Sequence, residues 1–243
     1  MATKTSSPDK LGGTPMQDAV RPYRGGSNGD DLDRARAERK TQTRSELRRV
    51  AQELFATRGF EAVTIANIAA AASVSVQTVF NHFATKEELF FDGRATWIDG
   101  PADAVRFRDA QVSALTALRQ YLVESVRDRV RFEATPEGRR YTSAVEASPA
   151  LSTRERELVY DAERRLSRAL ADAWADAPAR PASRPSDELS VTAEFTAATW
   201  LATVRVLVTA QRPLRGRQEE RAAHVAALTD RLLRALERNA MSR

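Results

Sequence analysis

The chain has 243 residues, of which 42% are hydrophobic and 29% charged, with a formal net charge of +5 and no cysteine. Such a length and apolar share suffice for a packed core in one large or two small domains, and the lack of cysteine excludes disulfides, thiolate metal sites and cysteine nucleophiles. The positive balance favours an anionic partner, and it is unevenly placed: residues 34–60 hold eight basic side chains against three acidic ones.

Residues 1–33 are rich in Ser, Gly, Pro and Asp, carry no apolar face and read as a disordered tail, in which Arg21 and Arg24 are among the cations a polyanion would meet. Leu47, Val50, Ala51, Leu54 and Phe55 then recur at the spacing of one helix face, with Arg44, Arg48, Arg49 and Arg58 on the remaining surface. Gly59 stands where a left-handed C-cap would end that helix. Thr64 precedes Ile65, Ile68, Ala69 and Ala72 as an N-cap, and Ser75 is the next N-cap only a few residues later. Two short helices joined by so brief a turn must cross steeply, which is the geometry of a helix-turn-helix. The third helix, Val76 to His82, places Gln77, Thr78 and Asn81 at one angular position and Val79 and Phe83 at another, so one side packs while the other is free to enter a major groove. Thr85 and Glu88 predict a capping box for a fourth helix. Lys86 in its first turn opposes the helix dipole by a few tenths of a kcal/mol, roughly, so it is expected to have a second anionic partner, and a DNA phosphate fits.

Beyond this segment, Ile98 to Asp109 reads as a break because of Gly100 and Pro101. Leu115, Leu118, Leu122 and Val126 mark a fifth helix, and Thr135-Pro136 and Ser148-Pro149 open a sixth and a seventh, since proline at a first helical position loses no hydrogen bond. Residues 177–185, with three prolines, read as a loop. An eighth helix follows from about Ser186 to Gln211, and after Pro213 and Gly216 a ninth carries Val225, Leu228, Leu232 and Leu236 on one stripe. No segment alternates with period two for long, so the expected fold is all-α with about nine helices. The expected division is a tail (1–33), a three-helix helix-turn-helix domain (34–97) and a C-terminal helical domain (98–243). The most apolar run, Phe195 to Ala210, is short for a membrane span and contains Arg205, and the N-terminus lacks the apolar core of a signal peptide. A soluble, cytoplasmic protein without a membrane partner is expected.

The stretches LFATRGFEAVTIANIAAAA, VSVQTVFNHF and TKEEL resemble the DNA-binding domain of the TetR family of transcriptional regulators. The resemblance covers roughly a quarter of the chain well and rests on helix number and order beyond Gly100. It implies a homodimer that binds a double-stranded, palindromic DNA operator, pairs through its last two helices, and is released as a repressor when a small-molecule effector fills a cavity among helices four to eight. An architectural DNA-binding protein without an effector is the alternative. Ser73, Phe80 and Val76 depart from the glycine, tyrosine and lysine common at the matching family positions, which removes one hydroxyl and one charge from the implied contacts to the DNA backbone.

Arg44, Thr64, Ser75, Val76, Gln77, Thr78, Phe80, Asn81, His82 and Lys86 are therefore the candidate DNA-binding residues. Exposed polar residues on a helix are commonly just solvated; here two caps place them on a reader helix, where amides match adenine edges and threonine meets a thymine methyl. Trp97, Phe107, Tyr121, Tyr141, Trp200 and Arg205 are the candidate effector residues, although buried aromatics normally just pack. Arg205, on the face of Leu201 and Val208, needs a carboxylate, a water-lined edge or an anionic ligand. An amphipathic or acyl-type effector matches apolar walls with one arginine. His82 and His224 are the only histidines, no HExxH or phosphate-cradling glycine loop is present, and neither an enzyme, a metal site nor a cofactor is expected.

Overall fold

A computed structural model describes residues 27–176, 186–210 and 217–241. Among them are ten helices and no strand: α1 (Ser27–Arg58), α2 (Ile65–Ala71), α3 (Val76–Phe80), α4 (Lys86–Phe91), α5 (Gly100–Arg106), α6 (Ala114–Glu133), α7 (Pro136–Ala147), α8 (Pro149–Ala175), α9 (Ser186–Ala210) and α10 (Gln218–Met241). The chain divides into two compact units, Met1–Thr43 and Arg44–Arg243.

In the first unit the described residues are helical, which corrects the expected tail: α1 begins at Ser27. A missing apolar face argues against packing and does not forbid an exposed helix. Arg34, Arg36, Arg39 and Lys40 are all exposed, and Thr41 Oγ1 donates back to the Ala37 carbonyl at 3.0 Å. Residues 1–26, with Arg21 and Arg24, lie outside the described residues.

In the second unit the caps read from the sequence are the ones observed. Gly59 takes φ +81°, and its amide reaches the Phe55 carbonyl at 3.1 Å, the left-handed stop that glycine adopts without steric cost. Thr64, Ser75, Thr135 and Ser148 cap α2, α3, α7 and α8, each side chain accepting from an amide of the first turn. The box expected at Thr85 is altered. Thr85 Oγ1 accepts from the Glu88 amide, but the Glu88 carboxylate accepts from Ala84 N at 2.8 Å, one residue earlier.

The break expected at Ile98 to Asp109 is also corrected. It contains α5, the helix by which the observed ten exceed the expected nine. Pro101 lies in its first turn, where a missing amide costs no bond, and Pro101, Ala102 and Val105 are buried. The glycine-proline pair marks the start of a helix here. Residues 177–185, with the expected loop, and 211–216, with Pro213 and Gly216, lie outside the described residues.

The principal core runs from Leu47, Ala51 and Phe55 of α1 through Ile68, Val79, Phe83 and Leu89 to Phe90 and Phe91, and continues without interruption into Tyr141, Val145, Leu151 and Leu158. The expected boundary at residue 97 is thus no break in packing, because Phe90 stacks on Tyr141 with ring centroids 5.3 Å apart. A second core joins α5, α6, α8, α9 and α10 around Trp200, Leu118 and Leu166.

Ser73, in the turn between α2 and α3, takes φ 55°. A left-handed conformation costs a residue with a Cβ about 1 kcal/mol or more, of which glycine's greater freedom in the unfolded chain cancels about half. Ser73→Gly is expected to raise the urea midpoint, corresponding to roughly 0.5 kcal/mol; a lowered midpoint would contradict the assignment.

Candidate DNA interface and adjoining cavity

The reader helix α3 is held from below and open above. Val79 and, just after the helix, Phe83 are buried to 0% and 1% exposure, whereas Val76 and Phe80 are 42% and 47% exposed. Ser75 Oγ accepts from the Thr78 amide at 3.0 Å and meets Thr78 Oγ1 at 2.8 Å. One helical turn on, Gln77 Nε2 donates to Asn81 Oδ1 at 3.1 Å, leaving an amide oxygen on one residue and an amide NH2 on the other. This is a short edge of apolar and amide groups on a helix held by its Ser75 cap and by buried Val79 and Phe83, an arrangement suited to major-groove readout. The Thr64 side chain and Asn67 form a reciprocal capping box at the start of α2.

Two expected DNA contacts have other partners. Arg44 donates to the His82 carbonyl, to Asp92 at 2.6 Å and to Glu88 at 3.3 Å, and its guanidinium lies 4.0 Å from the Phe83 ring centroid. Burial presses its pKa down, but Asp92 and Glu88 more than offset this and raise it. It fastens α1 to α3 and α4. Lys86 Nζ donates to the Phe60 and Val63 carbonyls at 2.9 and 3.1 Å and sits 4.1 Å from the Phe60 ring centroid. The second partner expected for a cation in a first helical turn is thus supplied by the turn before α2, so no phosphate is needed to explain it.

Behind this head lies a cavity of about 1200 Å³. Four of the six expected effector residues line it: Trp97, Tyr121, Tyr141 and Arg205. Two are corrected. Phe107 is 81% exposed beyond the end of α5 and lines no part of it, and Trp200, 2% exposed, fills the second core. Arg205 is exposed and makes no ion pair with the described residues, which leaves the water-lined edge and the anionic ligand of the three alternatives weighed for it. The Tyr141 hydroxyl is buried without a hydrogen bond of normal geometry. Burial pushes its pKa up to about 12 against the pull of Arg129, so at neutral pH it is a proton donor.

The sequence reading missed Arg48, Arg94 and Arg129, which also line the cavity. Arg129 is partnered by Glu133 at 2.8 Å and Arg94 by Glu137 at 3.4 Å. Burial lowers the Arg94 pKa despite Glu137. Arg129 had a readable signal, since it falls seven residues after Leu122 and three after Val126 on the inward face of α6. Arg94 had none, because its burial depends on α7. Among the described residues no group of three His, Cys, Asp or Glu side chains is placed to hold a metal ion.

Residues 47–92 match the family model of bacterial regulatory proteins, tetR family. The HTH-type transcriptional regulator TcmR of Streptomyces glaucescens is 48% identical over 48 residues, which span 20% of this chain and 21% of that protein, about a fifth of its length. Solved structures similar to the chain include GusR of Salmonella enterica (22% identity, TM-score 0.48, covering 80% of this chain and 95% of that one). NalD of Pseudomonas aeruginosa, the secondary repressor of an efflux pump, is another (18%, 0.46, 80% and 96%). A SmeT–triclosan complex, SmeT being a Stenotrophomonas maltophilia protein, is a third (16%, 0.49, 77% and 90%). The matched segment, with its caps and anchored reader helix, is a helix-turn-helix domain. Over residues 47–92 the chain is similar to the DNA-binding domain of the tetR family of bacterial regulatory proteins.

Proposed function

We propose that the protein is a ligand-responsive repressor that binds a palindromic operator as a homodimer in the cytoplasm and leaves it when a small molecule fills the cavity. The observation that carries the DNA-binding reading is the edge of α3, where Val76, Gln77 and Phe80 are exposed beside Thr78 and Asn81 while Val79 is buried. In this reading Gln77 and Asn81 contact base edges, Val76 and Phe80 meet thymine methyls, and Thr64, Ser75, Thr78 and His82 border the backbone. Arg44 and Lys86 act by holding the reader in place.

The homodimer is supported by α9, whose residues Val191, Phe195 and Val206 are exposed to 65%, 72% and 59%. They lie on one line with Ala198 and Ala202. By length and composition this helix is long and apolar enough to cross a membrane. That is more than its core Phe195 to Ala210 suggested, and a subunit contact accounts for so apolar an exposed face. The effector is supported by a cavity of 1200 Å³, far larger than a packing defect, and this favours a switch over an architectural role.

Selection from random duplexes followed by gel-shift titration tests the reading. A single short palindrome is expected. Gln77→Ala and Asn81→Ala should change the preferred base at defined positions, each good amide–base pair being worth about 1–3 kcal/mol of discrimination. Lys86→Ala should weaken all sequences alike with an unchanged salt slope, since no phosphate contact is lost. Broad protection without a palindrome, or no binding at modest ionic strength, would overturn the proposal.

A further inference from the structure

The end of the cavity beneath the helix-turn-helix is walled by the very contacts that fasten α1 to α4. Asp92, the C-cap of α4, accepts from Arg44 at 2.6 Å and faces Arg48 at 3.6 Å, and its main-chain carbonyl accepts from Gln52 at 3.1 Å. Arg48, Gln52, Asp92 and Gly93 all line the cavity. The Arg48 side chain lies directly over Gly93. A Cβ there would come within 2.8 Å of Arg48 Nη1, and the backbone at φ +71° is one that glycine accepts freely. Bare backbone at this point lets the guanidinium reach the cavity wall.

The charges at this end are arranged by depth. Asp92 already serves Arg44, and at 3.6 Å its bond to Arg48 is longer than a hydrogen bond, so Arg48 has donors to spare. The Arg94 and Arg129 side chains are 17% and 26% exposed. Arg129 is held by Glu133, 14% exposed, and by half-buried Glu155, whereas the carboxylate facing Arg94 is the open Glu137, 60% exposed and 3.4 Å away. Arg48 and Arg94 are therefore the cations here with donors to spare, the Tyr141 hydroxyl is a further donor without a normal hydrogen bond, and Leu201, Val204 and Val208 of α9 supply apolar wall.

We propose that Arg48 is the sensor of the switch. An effector with a carboxylate or phenolate head and a flat apolar body places its anion between Arg48 and Arg94, accepts from Tyr141, and draws Arg48 away from Asp92. Losing that pair loosens α1 from α4 and lowers operator affinity, because the ligand favours the unfastened state. This rests on the reading of the cavity as an effector site.

The test has a ligand-free arm and a ligand arm, both on the full-length protein. Without ligand, Arg48→Gln is expected to lower operator affinity five- to tenfold with unchanged far-ultraviolet circular dichroism and unchanged salt slope, and Arg48→Lys to recover most of it. A reduced salt slope would make Arg48 a phosphate contact, and unaltered affinity would remove it from the fastening; either result overturns the inference. In the ligand arm, calorimetry compares 2-naphthoate with neutral 2-naphthamide. The acid is expected to bind at least tenfold tighter, to release operator, and to lose its advantage in Arg48→Gln. Equal binding of the two, no binding of either, or a preference that survives in Arg48→Gln would overturn the inference. The effector reading itself fails separately, if no member of a broad metabolite library changes operator binding of the wild type.

Discussion

Arg119→Ala is expected to destabilise the protein by about 3 kcal/mol, the usual result of removing one partner from a buried ion pair. Arg119 points from α6 with only 10% of its side chain exposed, and it holds two carboxylates of α10: Asp230, and Glu237 at 3.0 Å. Asp230 retains Arg234 at 2.7 Å. Among the described residues, Glu237, 13% exposed, would keep the Thr116 hydroxyl at 2.6 Å as its one hydrogen-bond donor. The loss is therefore that of a carboxylate left with too few donors where water hardly reaches, added to the packing of the arginine stem. In a chain of this size it corresponds to a drop in Tm of roughly 6–12 °C, measured by calorimetry at fixed protein concentration. The exposed pair between the same two helices, Arg131 with Glu219 at 2.8 Å, is the control. Arg131→Ala should leave Tm within error of the wild type, since solvent screens that pair. A second variant separates charge from packing: Arg119→Met combined with Glu237→Leu should recover most of the loss, because an apolar pair of similar volume often replaces a buried ion pair without penalty. Arg119→Ala at wild-type Tm would show that the α6–α10 interface does not depend on it.

Phe195→Glu with Val206→Glu is expected to turn a dimer into a folded monomer and to reduce affinity for a palindromic operator by at least about a hundredfold. Both side chains stand on the open face of α9, so in an isolated subunit the substitutions bury no charge and should leave circular dichroism unchanged. Across a subunit contact they would bring carboxylates into apolar surroundings, and an unpaired buried charge costs several kcal/mol. Two linked readers on two half-sites bind about 10²–10⁴ more tightly than one, so the DNA readout should exceed the change in stability. Sedimentation velocity gives the subunit count directly. An unaltered dimer would locate the contact elsewhere, with exposed Leu232 of α10 as the next surface to vary.

Much of the fold was legible because helix ends are local. Thr64, Ser75, Thr135, Ser148 and Gly59 act within a turn of their own backbone, so residue type and position suffice to find them. The same locality explains the errors. Gly100-Pro101 is compatible with both a loop and a helix start, and only burial of Pro101, Ala102 and Val105 against other helices decides between them. Arg44 and Lys86 sat on a basic head and invited a phosphate, yet their partners lie 38 to 48 and 23 to 26 residues away along the chain. Arg119 lies on the apolar side of α6 beside Leu115, Leu118 and Leu122; a cation there was a sign of a buried partner, but nothing local named Asp230 or Glu237.

By itself, then, the amino-acid order determined an all-helical chain, the stops and starts of its DNA-binding head, and which side of the reader helix is apolar, since each depends on torsional preference and periodicity within a few residues. Tertiary structure alone decided which cations are spent on holding the head together, which aromatic residues face a cavity and which fill a core, and that Arg48 reaches both Asp92 and the cavity. Those outcomes depend on distances between helices remote in sequence, and an ionic or apolar contact has no local signature until packing brings its two halves together.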